Sequence, residues 1–489
     1  MLGEYNINSL RMTYKWKLVR DFVNGEEDVK AAGEAYLPRK GGQSDCSYEA
    51  YKARAKCGDY TGQALEMLHG LIFRRTPVID IPDSPKLKQV VQNFDREGNT
   101  LYQFASDVAM DNMQTLWGGL LVDLPVSTNV QSEYDAEQMG MLPYAKYYPA
   151  ENICDWNYVD VNGVSKLSVV VLKELVEDGD FRDFSHHVVE QYRVLELDED
   201  GYYRVVIYRT RMTKDVNGSQ KTEYDMMGKP IYVRVNNHLL DYIPFEFLMG
   251  KNPEKSMLYG TAELHKHYYM QSADYENGVH YTTIPTGYST GHTMGKDEDG
   301  NPETIRLGED SWLNFPDKDT RVDTLVFSGE GLTHCETAIN TTKEEIGILG
   351  TRMLSADKSS GTKDAAQIHR QGENAKLATY ARNLSEKFTK ILQIMAEWIG
   401  EKEKCRVDFN VDYDSVAFDP NALNAIANLS REGKYPLPLI FEALKKGEYL
   451  PGDMDFREFG LLVSLEGSGA TVEKLLKPTR SSDRVKSLR

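Results

Sequence analysis

Cysteine is scarce in this chain: five in 489 residues, an odd number. Cys46, Cys57, Cys154, Cys335 and Cys405 include no Cys-x-x-Cys pair, which argues against a zinc site or a disulfide frame and for a reducing compartment. Long apolar runs are missing too. Nothing nears eighteen consecutive apolar residues, so no membrane span is expected. The opening MLGEYNINSLRMTYKWKLV has no apolar stretch of the length a secretory signal needs. Basic residues are in deficit: 57 Lys and Arg against 75 Asp and Glu leave a formal net charge of −18. That balance argues against a free-standing, sequence-reading nucleic-acid binder, which needs a basic footprint. An acidic protein can still handle DNA that must slide and not be gripped. The expectation is a soluble intracellular protein, or a part of something assembled inside a cell.

Catalytic signatures are equally scarce. No Ser/His/Asp order, HExxH or GxSxG is present. SSGTKD at 359–364 comes nearest to a phosphate loop, but that motif needs Gly, four residues and Gly-Lys-Ser/Thr directly after a strand. Here the order is Gly361-Thr362-Lys363-Asp364, and the preceding segment has helical spacing. The DEDG turns at 198–201 and 297–300 lack the register of a calcium-binding loop and lie between strand-like runs, so both read as hairpin turns. His265 and His267, two apart on a helical stretch, point in different directions, and His186-His187 sits in a polar connector. The expectation is a protein without enzymatic activity, cofactor or metal.

What is present is length and pattern. A chain of 489 residues with 40% hydrophobic content should form two or more domains with real cores. Helical spacing runs through 44–75 (Tyr48, Tyr51, Ala55, Leu65, Leu68, Leu71, Ile72) and 101–117 (Leu101, Phe104, Ala105, Val108, Met113, Leu116). WGGLLVDLP then breaks the helix and reads as a short buried strand. From 165 to 249 the signal is β: LSVVVL, a hairpin turning at Asp200-Gly201, PIYVRV and IPFEFLM. Residues 1–250 thus read as one α+β domain.

After Pro253 the character changes. Residues 261–283 read as a helix with Leu264, Tyr268, Gln271 and Tyr275 on one stripe. Residues 284–331 read as a small β unit, and helical spacing resumes at Ile339, Ile346, Leu349 and Met353. The polar stretch DKSSGTKD interrupts it. A second long helix runs from about Ala365 to Ile399, with Leu377, Ala381, Leu384, Phe388, Ile391, Met395 and Trp398 three and four apart. That stripe reads as packing and not as a cofactor box. The last ninety or so residues read as short helices with a basic tail. A helix of about 24 residues spans roughly 36 Å, enough to hold the β unit away from the body. A hairpin of that kind buries little alone and makes sense if copies pack beside it in a ring.

Several stretches carry a family likeness: YLPRKGGQSDCSYEAYKARAKCGDYTGQALEMLHGLIFRRTP, YYPAENICDW, IPFEFL, HYYMQSADYENGVHYTTIPTGYSTG and SGTKDAAQIHRQGENAKLATYARNLSEKFTKILQIMAEWIG. In this order and spacing the chain resembles the portal proteins of tailed bacteriophages, the dodecameric head-to-tail connector rings. The likeness runs from about Tyr36 to Phe459.

The resemblance implies an α+β portal-protein fold with wing, two-helix stem, small β clip, tunnel loop and helical crown. Residues 1–258 would be the wing, 259–283 and 332–352 the stem helices, and 284–331 the clip. Residues 353–364 would be the tunnel loop, 365–400 a long wing helix, and 401–489 the crown with its basic tail. The tunnel loop would bring Lys358, Ser359, Ser360, Gly361, Thr362 and Lys363 to a DNA channel. The clip, with Asp297, Glu298, Asp299 and Trp312, would dock the terminase and later the head–tail adaptor. Implied partners are further copies of the chain, the major capsid protein, the terminase large subunit, the adaptor, and double-stranded DNA passing without sequence preference; no membrane is involved. The implied location is the capsid vertex of a virion assembled in the host cytoplasm. One reading from another class stays open: an acidic α+β phage enzyme with a nucleotide-dependent site near 353–370.

Overall fold

The computed structural model describes residues 2–125, 141–177, 187–214, 220–236, 238–283, 286–291, 319–325, 329–351, 363–413, 437–446, 450, 454 and 456–468. The chain opens with helices α1 (Ile7–Asn24), α2 (Glu26–Ala31), α3 (Asp45–Arg54) and α4 (Tyr60–Phe73). The helical spacing at 44–75 is therefore two helices, separated where Gly58 takes a left-handed φ of +78°. Strand β1 (Val78–Asp80) and helices α5 (Pro85–Gln92) and α6 (Leu101–Thr115) follow. Local chemistry explains the limits of α6. The Thr100 hydroxyl accepts from the Gln103 amide at 3.3 Å and the Gln103 side chain accepts from the Thr100 amide at 3.0 Å, a capping box. At the other end Leu116 turns left-handed, with φ +54°, and closes the helix.

The sheets follow. Strands β2 (Gly118–Asp123) and β3 (Tyr144–Pro149) lead into a long antiparallel meander of β4 (Ile153–Val161), β5 (Val164–Glu177), β6 (Val188–Leu197), β7 (Tyr203–Lys214) and β8 (Gln220–Met226). Short strands β9 (Ile231–Tyr232), β10 (Arg234–Val235), β11 (His238–Leu239) and β12 (Phe245–Phe247) complete this part. The meander is one six-stranded sheet in the order β4-β5-β6-β7-β8, with β9 on the first half of β7. A second, three-stranded sheet has the order β12-β2-β3. The β6–β7 turn is the expected Asp198–Gly201 hairpin: Asp198 Oδ1 accepts from the amides of Asp200 and Tyr202 at 3.0 and 2.8 Å, and Gly201 supplies φ +84°.

Beyond the sheets lie α7 (Tyr259–Thr283), the ribbon β13 (Thr286–Thr290) and β14 (Arg321–Leu325), and α8 (Glu330–Thr351). Then come α9 (Lys363–Trp398), β15 (Arg406–Asp408), α10 (Leu437–Lys446) and α11 (Phe456–Ser468). The chain is thus mixed helix and sheet.

The main core is larger than residues 1–250. Leu377, Ala381, Leu384, Phe388, Ile391, Met395 and Trp398 are all buried in the same cluster as Trp16, Phe22, Leu68, Phe104 and Trp117. Here α9 lies through the body, with Phe388 stacked 6.3 Å from Phe94 and edge-on to Phe409 at 5.6 Å. Strand β15 pairs antiparallel with β1, Ile79 opposite Val407. Residues 405–409, which the resemblance groups with the crown, therefore pack on the body. Burying a large apolar side chain contributes about 1.5–3 kcal/mol, so this stripe is a major part of what holds α9 in place.

Candidate functional site

The region with functional interest is the pair of helices that leaves the body, its seat, and the ribbon it carries. The first half of α7 is buried: Thr261, Ala262, His265, Tyr268, Tyr269, Ser272 and Ala273 face the body. His265 is fully buried. Its Nδ1 lies 2.9 Å from the Thr61 hydroxyl and its Nε2 lies 2.9 Å from the Cys57 carbonyl. Phe22 and Tyr60 pack on the imidazole with ring centroids 4.7 and 5.2 Å away. Burial pushes the imidazole pKa down to about 4, against the opposing pull of the Cys57 carbonyl. His265 is thus a neutral, satisfied pin between α7 and α4. His267 points elsewhere and bonds Gln271 at 3.1 Å, as their spacing of two requires.

The second half of α7 is gripped by polar groups around α3. Tyr51 donates to Asp274 at 2.8 Å, and Lys40 pairs with the same carboxylate at 2.8 Å. The Lys56 amide donates to Ser272 Oγ at 2.8 Å, Lys56 Nζ pairs with Glu276 at 2.5 Å, and Arg54 reaches His280 at 2.9 Å. The ion pairs Lys40–Asp274 and Lys56–Glu276 are largely exposed and contribute about 0–1 kcal/mol each, so the buried side chains of α7 supply most of the anchoring.

Helix α8 runs beside α7. Ile339 and Ile346 pack on Tyr268 in a small cluster with Leu264, Tyr275 and Tyr60. Thr342 is the other buried side chain among the residues of α8 whose exposure is described. Most of the other described positions are exposed, with Thr333, Thr337 and Thr341 along one ridge and Ile348 near the end, while Leu332, Cys335, Gly347 and Leu349 are half-buried. Thr337 and Thr341 return their hydroxyls to the carbonyls four residues back, at 2.8 and 3.0 Å. Among the described residues of this 22-residue helix, the buried positions are few and most side chains are exposed. At the far end, Gly278 lets α7 and α8 approach closely, because a Cβ there would sit 2.7 Å from Leu332. The ribbon then pairs Thr286 with Leu325 through to Thr290 with Arg321.

Of the sequence-derived site residues, Lys363 is the first residue of α9. Lys358, Ser359, Ser360, Gly361 and Thr362 lie outside the described residues, as do Asp297, Glu298, Asp299 and Trp312. The second DEDG turn, His186, and the TIRL and SWLNF runs fall there too. The stripe Leu264, Tyr268 and Tyr275 is the α8-facing side of α7. Sequence reasoning missed the seat of His265, whose partners lie more than 200 positions away. Among the described residues no group of His, Cys, Asp and Glu is spaced to hold a metal ion, and no helix is long and apolar enough to cross a membrane.

Comparison with known proteins adds a family match over this region. Residues 258–399 match the family described as a domain of unknown function (DUF4055), a span that takes in α7, the ribbon, α8 and α9. No curated protein matches the sequence. Among solved structures, the chain is similar to one in the virion of a native gene transfer agent particle, at 10% identity and a TM-score of 0.35, covering 83% of this chain and 94% of that one. It is also similar to one in the neck of an empty particle of that kind, at 10% identity and a TM-score of 0.36, covering 77% and 86%. Superpositions this loose do not establish a shared fold.

Proposed function

We propose that this protein is a portal subunit, one of a ring of copies seated at a capsid vertex through which double-stranded DNA enters and leaves a phage head. The observation that carries the reading is the path from α7 to α9. A helix leaves the body, a two-stranded ribbon sits at its end, a second helix comes back alongside, and the next helix runs through the body core. Among the residues of α8 whose exposure is described, three side chains are buried and most of the others are exposed. Copies arranged around an axis would cover those exposed positions, which a lone subunit leaves to solvent. The order of parts supports the likeness to portal proteins found in the sequence.

In this reading the protein performs no bond chemistry. It supplies a bore, a docking end and a passage. Hydrolysis of a nucleotide would belong to a separate motor docked on the 284–331 unit, which carries Asp297, Glu298, Asp299 and Trp312. DNA presents one negative charge per about 1.7 Å of axis, so a strongly basic bore would hold it by many contacts. A chain of net charge −18 with localised cations would let it slide.

The test is electron microscopy of the purified full chain. Closed rings with a central pore are expected, and cryo-electron microscopy then counts the copies. A strict monomer at every concentration overturns the reading.

A further inference from the structure

A groove of about 1120 Å³ runs between α9, β5 and the segments around β12. Its lining reverses the charge balance of the chain. Six lysines border it, Lys166, Lys251, Lys387, Lys390, Lys402 and Lys404, against three carboxylates, Glu246, Glu386 and Glu397. The whole chain has more acids than bases, 75 to 57, so this concentration of cations is local.

The lysines are not equivalent. Lys387 lies 3.2 Å from Glu246, and Lys390 pairs with the same carboxylate. Lys166 pairs with the exposed Asp241 at 3.2 Å. Lys251 sits 4.3 Å over the Tyr158 ring and donates to Ser165 Oγ at 3.1 Å. Lys402 and Lys404 are exposed and have neither an ionic nor a hydrogen-bond partner among the described residues. Beneath this rim the lining is apolar: Phe245, Phe247 and Ile394 are buried, with Leu167 and Tyr242 partly exposed beside them.

We propose that this groove docks an acidic segment of a partner polypeptide that also carries apolar side chains. The charge pattern selects that chemistry. Carboxylates of the segment meet Lys402 and Lys404, and its apolar groups cover the exposed edges of Leu167 and Tyr242. The interspersed Glu386 and Glu397 accept from peptide N–H groups. They repel a continuous phosphate chain, which carries a charge at every step and offers no aliphatic side chain to the floor. The site is separate from the ring reading, since it lies on the body and needs one copy only.

The test uses the full chain and a fluorescein-labelled synthetic peptide of about a dozen residues, alternating Glu and Asp around a central Phe and Leu. Anisotropy titrations compare it with the same peptide bearing Lys at every acidic position, and with a short DNA duplex as competitor. The acidic peptide should bind and the charge-reversed one should not. The double variant K402E/K404E, altering two exposed unpaired side chains and checked for an unchanged circular dichroism spectrum, should weaken binding about tenfold or more. Raising the salt from about 0.05 M to about 0.3 M should weaken the wild type as well. The proposal falls if the acidic peptide does not bind, if K402E/K404E binds it as well as wild type, or if the duplex displaces it. A monomer that binds the peptide keeps this site while ending the ring reading, and a ring that ignores the peptide does the reverse.

Discussion

The Thr61 hydroxyl lies 2.9 Å from Nδ1 of His265, joining residues 204 positions apart and fixing the root of α7 on α4. With Nε2 2.9 Å from the Cys57 carbonyl, both bonds are satisfied at once by the neutral ring protonated on Nε2. Thr61 donates to Nδ1 and Nε2–H donates to Cys57. The helix that leaves the body is therefore seated by a group that its burial requires to be neutral near pH 7.

That requirement sets a pH dependence. Burial holds His265 near a pKa of about 4 in the folded chain, below the unfolded value of about 6.5. The unfolded state takes up the proton first as pH falls. The stabilisation is whole above about pH 6.5 and is lost progressively towards pH 4, amounting to about 3 kcal/mol. Amide hydrogen exchange of α7 should show opening that becomes easier across this window. His265→Gln keeps an N–H donor and removes the titration. It should flatten the pH dependence while making α7 easier to open at pH 7 by about 1–3 kcal/mol. An equally steep pH dependence in the variant would show that another group sets it.

Glu174 on β5 gives a second pH-dependent element, of opposite chemistry. It is 5% exposed, and Lys146 at 2.8 Å, Tyr148 at 2.6 Å and Gln191 at 2.7 Å donate to its carboxylate, with Arg193 at 3.3 Å. Burial alone would raise its pKa, but the Arg193 and Lys146 charges outweigh it and hold the group at about 2. Its contribution is whole above the unfolded value of about 4.3 and is lost as pH falls towards 2. Glu174→Ala removes the acceptor shared by Lys146, Tyr148 and Gln191 and one of the two carboxylates beside Arg193, which keeps Asp123 at 2.6 Å, at a cost of about 1–3 kcal/mol. A melting temperature lower by a few degrees is expected at pH 7, and the gap to wild type should shrink below pH 4. A gap that is constant with pH would show that the ion pairs are not the cause.

Much of this architecture was legible in the sequence, and the failures have physical causes. The Leu377–Trp398 stripe was readable because α9 has a single buried face, so its apolar residues repeat three and four apart. The Asp198–Gly201 turn was readable because its signal is local. Helix α1 was not. Trp16, Val19 and Phe22 face the core while Ile7, Leu10 and Tyr14 are at least half exposed, and apolar residues on both sides erase the pattern. The β1–β15 pairing joins three residues at 78–80 to three at 406–408, a contact with no local trace. In the candidate site, the two projecting helices showed in their spacing, whereas the seat of His265 depends on Thr61 and Cys57, which no helical pattern links to it.

Gly119 offers a steric test of the inner sheet. A Cβ at this position would fall 2.0 Å from the Phe245 ring, which is buried beside Phe247 and Tyr148 at centroid distances of 5.1 and 6.4 Å. Gly119→Ala should destabilise the fold by about 1–3 kcal/mol through overpacking, visible as a lower urea midpoint. Phe245→Leu vacates part of that volume and should itself be destabilising. Combined, the two changes should cost less than their sum, because each relieves what the other disturbs. Strict additivity would mean that the ring does not press on Gly119.

The DNA-handling reading is tested by charge at the start of α9 and just before it. Lys363 opens that helix, and Lys358 stands five residues earlier in the sequence. In the proposed ring each lysine would recur once per copy, so two residues would become a belt of positive charge on a subunit whose net charge is −18. Each lysine–phosphate contact adds to a salt-dependent, sequence-blind attraction. Reversing both signs turns the belt repulsive towards a polymer with a charge every 1.7 Å or so. K358E/K363E should therefore shorten the packaged DNA while rings still form, because the change acts on the passing polymer. K358R/K363R keeps the charge and should package normally. Full-length DNA in K358E/K363E particles would remove both lysines from any role in passage, and broken rings would assign them to assembly instead.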